Sequence, residues 1–240
     1  MPPFAISPAV TAEAFAPAFA AAGRLQIPDF LASAAAEALL DDLARHPRWL
    51  LTANRGDQAI DFTPERQAGM DAEARAKLAR AVTLGGRYDF QFFYETIRLP
   101  KPGEPLAAPG LLPAFADFMS SPAVIAFMRA LTGDARIDFA DAHASRYQPG
   151  HFLTAHDDEV ASMGRRAAYV LNLSPEWRTD WGGLLLFHDD AGNVREGFTP
   201  RFNTLNIFSV PQRHSVSFVT PLAGAPRYAV TGWLRSRAAD

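Results

Sequence analysis

The sequence predicts a mainly β protein with α-helix: a double-stranded β-helix (jelly roll) flanked by N-terminal helices. Three observations lead there. Near residue 136 the texture changes from helix-spaced apolar residues to short β-type runs broken by Gly, Pro and Asn/Asp turns. Those runs recur at short, regular spacing, which favours a sandwich, barrel or jelly roll over a βαβ sheet. Finally, 18 Phe and 19 Pro in 240 residues give an aromatic, turn-rich signature laid over an Ala-rich helical one. That length is expected to form a single domain over 1–240. Roughly residues 1–135 would act as helical support with accessory strands, and roughly 136–236 as a double-stranded β-helix core.

Taken in order, Leu25 to Pro28 reads as a short extended stretch, after which Asp29 is the expected cap of a helix running to about His46. Its apolar face would hold Phe30, Leu31, Ala34, Leu39, Leu40 and Leu43. Ala72 to Val82 repeats helical spacing, and Tyr88 to Tyr94 reads as an aromatic strand. Ser121 as N-cap, Pro122 as first helical residue and Gly133 as C-cap bracket the clearest helix. The strands expected beyond it are Arg136–Tyr147, Phe152–Asp158, Ala167–Leu173, Leu184–His188, Thr204–Val210, His214–Val219 and Arg227–Leu234. A hairpin turn is expected at Asp189 to Asn193.

Composition removes several classes of chemistry. The absence of cysteine excludes disulfide scaffolds, Cys-ligated zinc, iron–sulfur clusters and thiol nucleophiles, and points to a reducing cytoplasm. A formal net charge of −3 leaves no basic footprint for nucleic acid or an anionic membrane. The first 23 residues carry no Lys or Arg, so a signal peptide is not expected there, and no apolar stretch reaches membrane-spanning length. Neither a P-loop, a G-x-G-x-x-G nor a G-x-S-x-G elbow is present.

What remains is a set of His and Asp residues on the β-type runs. In Thr154-Ala155-His156-Asp157-Asp158, an extended chain would turn His156 and Asp158 to one face and Asp157 to the other. His214, Val216 and Phe218 would likewise share a face of a later strand, and a His on an apolar face needs a partner. Two imidazoles and a carboxylate form the ligand set of non-heme Fe(II) oxygenases. On the last strand Arg227, Ala229 and Thr231 share a face, and a guanidinium pointing inward requires an anion. A dicarboxylate could meet that need, with Thr231 donating a further hydrogen bond.

With these residues in place, His156-x-Asp158, His214, and Arg227 followed by Thr231 resemble the Fe(II)- and 2-oxoglutarate-dependent dioxygenases. The likeness spans roughly residues 136–236 and is strongest to the oxygen-sensing and ribosomal-protein prolyl hydroxylases. Arg146-Tyr147-Gln148-Pro149-Gly150, Leu171-Asn172-Leu173 with Trp177, Gly182-Gly183-Leu184 and Arg227 to Trp233 add to it. The resemblance implies that His156, Asp158 and His214 bind iron and that Arg227 with Thr231 holds the distal carboxylate of 2-oxoglutarate. It puts Tyr147 in the co-substrate pocket. Asn172 stands where some relatives place a second co-substrate-contacting Tyr, so a rearranged hydrogen bond is expected there. Fe(II), 2-oxoglutarate and O2 are the implied cofactors, and the resemblance allows ascorbate as an accessory. The implied reaction hydroxylates a C–H bond, releasing succinate and CO2. The favoured substrate is a prolyl residue of a protein or peptide, with a small molecule as the alternative.

Rival assignments are kept in view. His143, His151 and His188 are competing ligands, and Trp233 reads as core. Leu184, Leu186 and Val216 are expected to form an apolar pocket wall. Asp157 and Glu159 read as solvent-facing, with Asp157 the one that could orient a ligand from behind. A cupin-like metal barrel with 2-oxoglutarate-independent chemistry has no use for a carboxylate clamp at Arg227. A non-catalytic binding module has no use for an intact ligand set.

Overall fold

The computed structural model describes residues 4–56, 58–99 and 110–237. Six helices are α1 (Ala12–Ala22), α2 (Ser33–Arg45), α3 (Pro64–Ala68), α4 (Ala72–Gly85), α5 (Leu112–Met119) and α6 (Pro122–Thr132). The strands are β1 (Arg24–Ile27), β2 (Leu50–Arg55), β3 (Gln58–Phe62), β4 (Phe92–Arg98), β5 (Phe139–Ala140), β6 (His143–Tyr147) and β7 (Phe152–His156), then β8 (Arg165–Asn172), β9 (Leu185–His188), β10 (Val194–Phe198), β11 (Thr204–Ser209), β12 (His214–Val216) and β13 (Arg227–Arg235). They pair antiparallel in the order β1-β11-β8-β13-β6-β4-β7-β12-β9-β10, forming the nearly closed barrel of a double-stranded β-helix. Strand β4 turns the corner between the two sheets. Its first residues pair with β7 and its later ones with β6.

Period-two alternation gives the large sheet two different faces. From β8, β11 and β13, the residues Tyr169, Leu171, Leu205, Ile207, Val230 and Leu234 are fully buried in one cluster with α2, α5 and α6. The helices contribute Ala36, Leu39, Leu43, Phe115, Met119, Val124, Met128 and Leu131. The opposite faces of the same strands carry Ala168, Val170, Thr231 and Trp233, which line an internal cavity. Helices on one side and cavity on the other explain why nearly every residue of β13 is buried or half-buried.

Several sequence expectations hold in detail. Ser121 caps α6 by accepting the Val124 N–H, and Gly133 ends it in the left-handed conformation. The hairpin at Asp189 to Asn193 closes through two backbone bonds between its end residues and Gly192. The Gly182-Gly183 pair is also explained. A Cβ on Gly182 would lie 1.9 Å from the Phe218 carbonyl, and both residues have positive φ. Trp177 donates its indole N–H to the Gly182 carbonyl at 2.8 Å.

Other expectations are corrected. Asp29 does not cap α2, which begins at Ser33 with no side-chain cap. Asn203 takes the backbone of Leu31 instead, accepting its N–H at 2.9 Å and donating to its carbonyl at 2.7 Å. Phe30 and Leu31 are buried but lie before the helix, and Ala34 is exposed. The aromatic strand is Phe92–Arg98 rather than Tyr88 to Tyr94, and Tyr88 is exposed. Arg136–Tyr147 is interrupted between β5 and β6, and the His214 strand stops at Val216, leaving Phe218 to stack on Phe152 at 4.2 Å. The sequence reading did not include α1, α5, the β2–β3 hairpin or β10. The first two are Ala- and Phe-rich without polar caps, and β10 exposes four of its five residues, so no alternation marks it.

One close approach in the sheet yields a stability test. A Cβ on Gly232 would sit 1.9 Å from the Asp141 carbonyl, backbone that has no room to move. Gly232→Ala should cost stability at or above the upper end of the roughly 1–3 kcal/mol typical of overpacked sites. Denaturant unfolding would show it as a lowered midpoint; an unchanged midpoint would contradict the packing described.

Candidate active site

Local backbone irregularity, more than strand alternation, assembles the site. Leu153 and His156 both face the cavity although they are three positions apart, an odd spacing on a strand. A β-bulge lies between them, where His214 pairs with His156 but Val216 pairs with Leu153. Strand β7 ends at His156, and Asp158 adopts a left-handed backbone with φ 65°. The expected alternation of His156 and Asp158 is therefore replaced by a tight turn that swings the carboxylate back. Arg165 holds that turn by donating to the Asp158 carbonyl at 2.9 Å.

The outcome is a compact cluster. One ligand-type atom from each of His156, Asp158 and His214 lies within 4.8 Å of the others. The Nε2 atoms of His156 and His214 stand 3.4 and 3.5 Å from the two Asp158 oxygens. Each imidazole points its Nδ1 at a backbone carbonyl two residues earlier, Thr154 at 3.0 Å and Gln212 at 2.7 Å. A carbonyl only accepts, so Nδ1 carries the proton and neutral Nε2 offers its lone pair to the cluster. Burial first, and then the neighbouring His156, lowers the His214 pKa to about 4. Burial would raise Asp158, but the neighbouring His156 and His214 outweigh burial and hold it at about 2. Lone pairs of two imidazoles facing a carboxylate repel one another unless a cation lies between them. A set of two histidines and one carboxylate is suited to Fe(II).

Arg227 enters from β13 and is 2 % exposed. Its Nη2 donates to Asn172 Oδ1 at 3.4 Å, its Nε has no partner, and among the described residues no carboxylate pairs with it. Burial lowers its pKa, opposed by Tyr147, whose ring centre is 5.1 Å from the guanidinium carbon. Gly183 makes room for this side chain, since a Cβ there would lie 3.3 Å from Arg227 Cδ. Tyr147 stacks on Tyr94 at 5.0 Å, and burial raises both phenols, which keeps their O–H groups as donors.

A cavity of about 370 Å³ joins these groups. It is lined by the three cluster residues, Arg227, Thr231 and Tyr147, as the sequence reading grouped them. Asn172 is set behind the cavity wall, bonded to the Thr204 carbonyl at 3.1 Å, and reaches the site only through Arg227. Thr231 donates its hydroxyl proton to the Tyr169 carbonyl at 3.0 Å, so toward the cavity it offers a lone pair and not the proton expected of it. The apolar wall contains Val216 with Leu153, Leu185, Phe92 and Phe208. Leu184 and Leu186 are absent because β9 turns the alternate residues Leu185 and Phe187 to its buried face and Leu186 to the other.

The rival histidines separate cleanly. His151 accepts the Gln148 N–H at 3.2 Å outside the cavity, and His188 bonds Ser215 Oγ at 2.8 Å. His143 lines the cavity but stands outside the three-residue cluster. Trp233, read as core, lines the cavity beneath the Arg165 guanidinium, 3.7 Å from its ring centre. Asp157 and Glu159 are exposed at the mouth, where Asp157 caps the turn by accepting the Glu159 N–H. Sequence reasoning missed Tyr94 and Arg165. The Phe92/Tyr94 alternation could have revealed the first, whereas nothing local marked the second.

Residues 142–235 match the family model described as the 2OG-Fe(II) oxygenase superfamily. That segment is similar to the 2OG-Fe(II) oxygenase domains. It contains all seven residues that the sequence singled out, and it supplies most strands of the barrel. Prolyl 3-hydroxylase OGFOD1 of Xenopus laevis is 37% identical over 100 residues, which are 39% of this chain and 19% of that protein. The chain thus spans about a fifth of the length of that relative. A 2OG-Fe(II) oxygenase family oxidoreductase from Burkholderia pseudomallei superposes with a TM-score of 0.59 at 17% identity, covering 98% of this chain and 95% of that one. A Trichoplax adhaerens prolyl hydroxylase, solved with a hypoxia inducible factor oxygen degradation domain peptide fragment, gives a TM-score of 0.60 at 17% identity, over 94% and 89%. These two structures share the fold of this chain.

Two measurements test the cluster. Asp158→Asn keeps a residue that tolerates the left-handed backbone but removes the charge. Calorimetric titration with Mn2+ should show an affinity loss beyond the roughly 10–100-fold usual for groups behind the ligands, with an unchanged circular dichroism spectrum. The second concerns acid stability of the metal-free protein. His143 and His214 are both lowered to about 4 in the fold, so the unfolded chain takes up their protons first. Stability should hold above pH 6.5 and fall as pH drops from there toward 4. His143→Leu should make that fall shallower in denaturant midpoints measured against pH.

Proposed function

We propose that this chain is an Fe(II)- and 2-oxoglutarate-dependent dioxygenase that hydroxylates a C–H bond of a prolyl residue in a protein. One observation carries the reading: a two-histidine, one-carboxylate cluster shares a cavity with a buried guanidinium that has no acid of its own. A metal cation answers the first and a dicarboxylate answers the second.

In this reading His156 and His214 through Nε2, and Asp158 through its carboxylate, would hold Fe(II). Arg227, steadied by Asn172 and flanked by the Tyr147 O–H, binds the distal carboxylate. The Leu153, Leu185, Val216 and Phe208 wall excludes water and keeps the electrostatic contacts strong. When bound, Fe(II) and 2-oxoglutarate supply oxidative decarboxylation coupled to hydroxylation, with O2 giving one oxygen to succinate and one to the product. The chain's own contribution is to place the target C–H beside the metal.

Two features support a peptidyl proline. The relative with 37% identity is named as a prolyl 3-hydroxylase. In addition, the cavity opens through a rim that sets the apolar Phe90 and Val160, each 41% exposed, beside the acidic Asp157 and Glu159. An apolar pyrrolidine ring fits such a rim, and an open mouth leaves room for a chain on either side.

The test incubates the purified protein with Fe(II), 2-oxoglutarate and proline-containing peptides, reading succinate release and a mass gain of one oxygen. His214→Ala should abolish both while the protein stays folded; retained turnover would remove the metal assignment. Arg227→Met should raise the 2-oxoglutarate requirement by at least tenfold, reflecting a lost charge-assisted pair of about 1.5–3 kcal/mol, and change the iron requirement far less. Modification of free proline and not of peptides would replace the peptidyl substrate with a small molecule.

A further inference from the structure

We infer that His143 is a further ligand-binding residue of the cavity, hydrogen-bonding the keto-acid end of 2-oxoglutarate, opposite the end that Arg227 holds. The inference rests on the dioxygenase reading above.

His143, Ser145 and Tyr147 occupy alternate positions of β6, and all three line the cavity. The register with β13 fixes their neighbours, with Tyr147 opposite Arg227 and His143 opposite Thr231. Four residues of strand separate the two ends by roughly 13 Å. Tyr147 thus marks the guanidinium end of the floor and His143 the far end. That far end is the side of the metal cluster. The His143 ring lies 5.9 Å from that of Trp233, whose indole N–H faces the Asp158 carboxylate. Asp158 is near enough for its charge to raise the His143 pKa, and Arg98 and Arg165 are near enough to lower it.

Neither ring nitrogen of His143 bonds to protein among the described residues, although every other histidine described at or near the site has a backbone or side-chain partner. A half-buried imidazole that lines a cavity with both ring nitrogens unpartnered offers itself to a polar ligand there. The side chain lies outside the ligand cluster, so it is not a fourth metal ligand. Across the same rung, the Thr231 proton is committed to the Tyr169 carbonyl. That leaves His143 as the donor at this rung. Burial, with Arg98 and Arg165, lowers its pKa to about 4, so it donates as a neutral group. A neutral donor suits a carboxylate whose charge a metal already balances. The charged Arg227 suits the carboxylate at the other end.

The experiment compares wild type, His143→Leu, His143→Gln and Arg227→Met, each loaded anaerobically with Fe(II). Each is titrated with 2-oxoglutarate and with succinate, which lacks the keto-acid group, by calorimetry and by the charge-transfer absorbance of the ferrous keto-acid complex. His143→Leu should weaken 2-oxoglutarate about tenfold, leave succinate within twofold, shift the absorbance band and leave Fe(II) affinity unchanged. His143→Gln, which retains a donor, should recover part of the loss. Arg227→Met should weaken both acids. Unchanged 2-oxoglutarate affinity in His143→Leu, equal losses for both acids, or a loss of Fe(II) would each overturn the inference. Wild-type protein that binds no 2-oxoglutarate would instead overturn the dioxygenase reading.

Discussion

A fully buried cation without a protein counter-charge is the constraint on which this molecule turns. A second arginine, half-buried, makes the contrast. Arg146 donates to both oxygens of Glu95 at 2.6 and 2.9 Å, and Gln148 adds a third bond to that carboxylate at 2.8 Å. That charge is neutralised inside the fold, and its role is to tie β4 to β6. Arg227 has only the amide oxygen of Asn172, at 3.4 Å, and an orphaned Nε. A desolvated, unpaired guanidinium costs several kcal/mol, and the fold recovers that cost only when an anion enters the cavity. Structure and binding are thereby coupled at one residue.

The strands carrying these groups do two jobs at once. On β13, Val230 and Leu234 anchor the helices while Thr231 and Trp233 line the cavity. This placement makes the site rigid, because moving any lining residue would pull the opposite face out of a packed core. The metal-facing corner works differently. There a bulge in β7, a left-handed Asp158 and the Arg165 bond to its carbonyl bring the groups together where the regular ladder has ended.

That division explains what the sequence could and could not disclose. The inward face of β13 was legible because strict alternation governs it, so Arg227 and Thr231 fell on the cavity side as expected. His156, Asp158 and His214 were also found, although the alternation invoked for the first two is absent from the structure. Residue types and their spacing pointed to these three, and the bulge and the turn bring them together. Tertiary contacts overrode local signals at Asp29, where Asn203, 174 positions away, captures the neighbouring backbone. The proton of Thr231 was equally beyond reach, since its acceptor lies on β8, across the sheet. Periodicity reports which face a residue occupies, but it does not report which neighbour has already claimed its hydrogen bond.

Electrostatic balance across the cavity ties these points together. Inside the mouth, where Asp157 and Glu159 stand exposed to solvent, Asp158 is set against Arg165 and Arg227 while His143 and His214 stay neutral, so the inner lining is positive on balance. A divalent cation entering alone deepens that excess in a low-dielectric space, and a dicarboxylate entering alone reverses it. Entering together, the two leave the balance as it was. Each therefore lowers the electrostatic cost of the other, and by linkage the assistance must be mutual. The lining is organised to favour a neutral pair over either charged partner alone, and Asn172 suits that organisation. Its amide holds the guanidinium in place without adding a charge that would compete with the incoming acid.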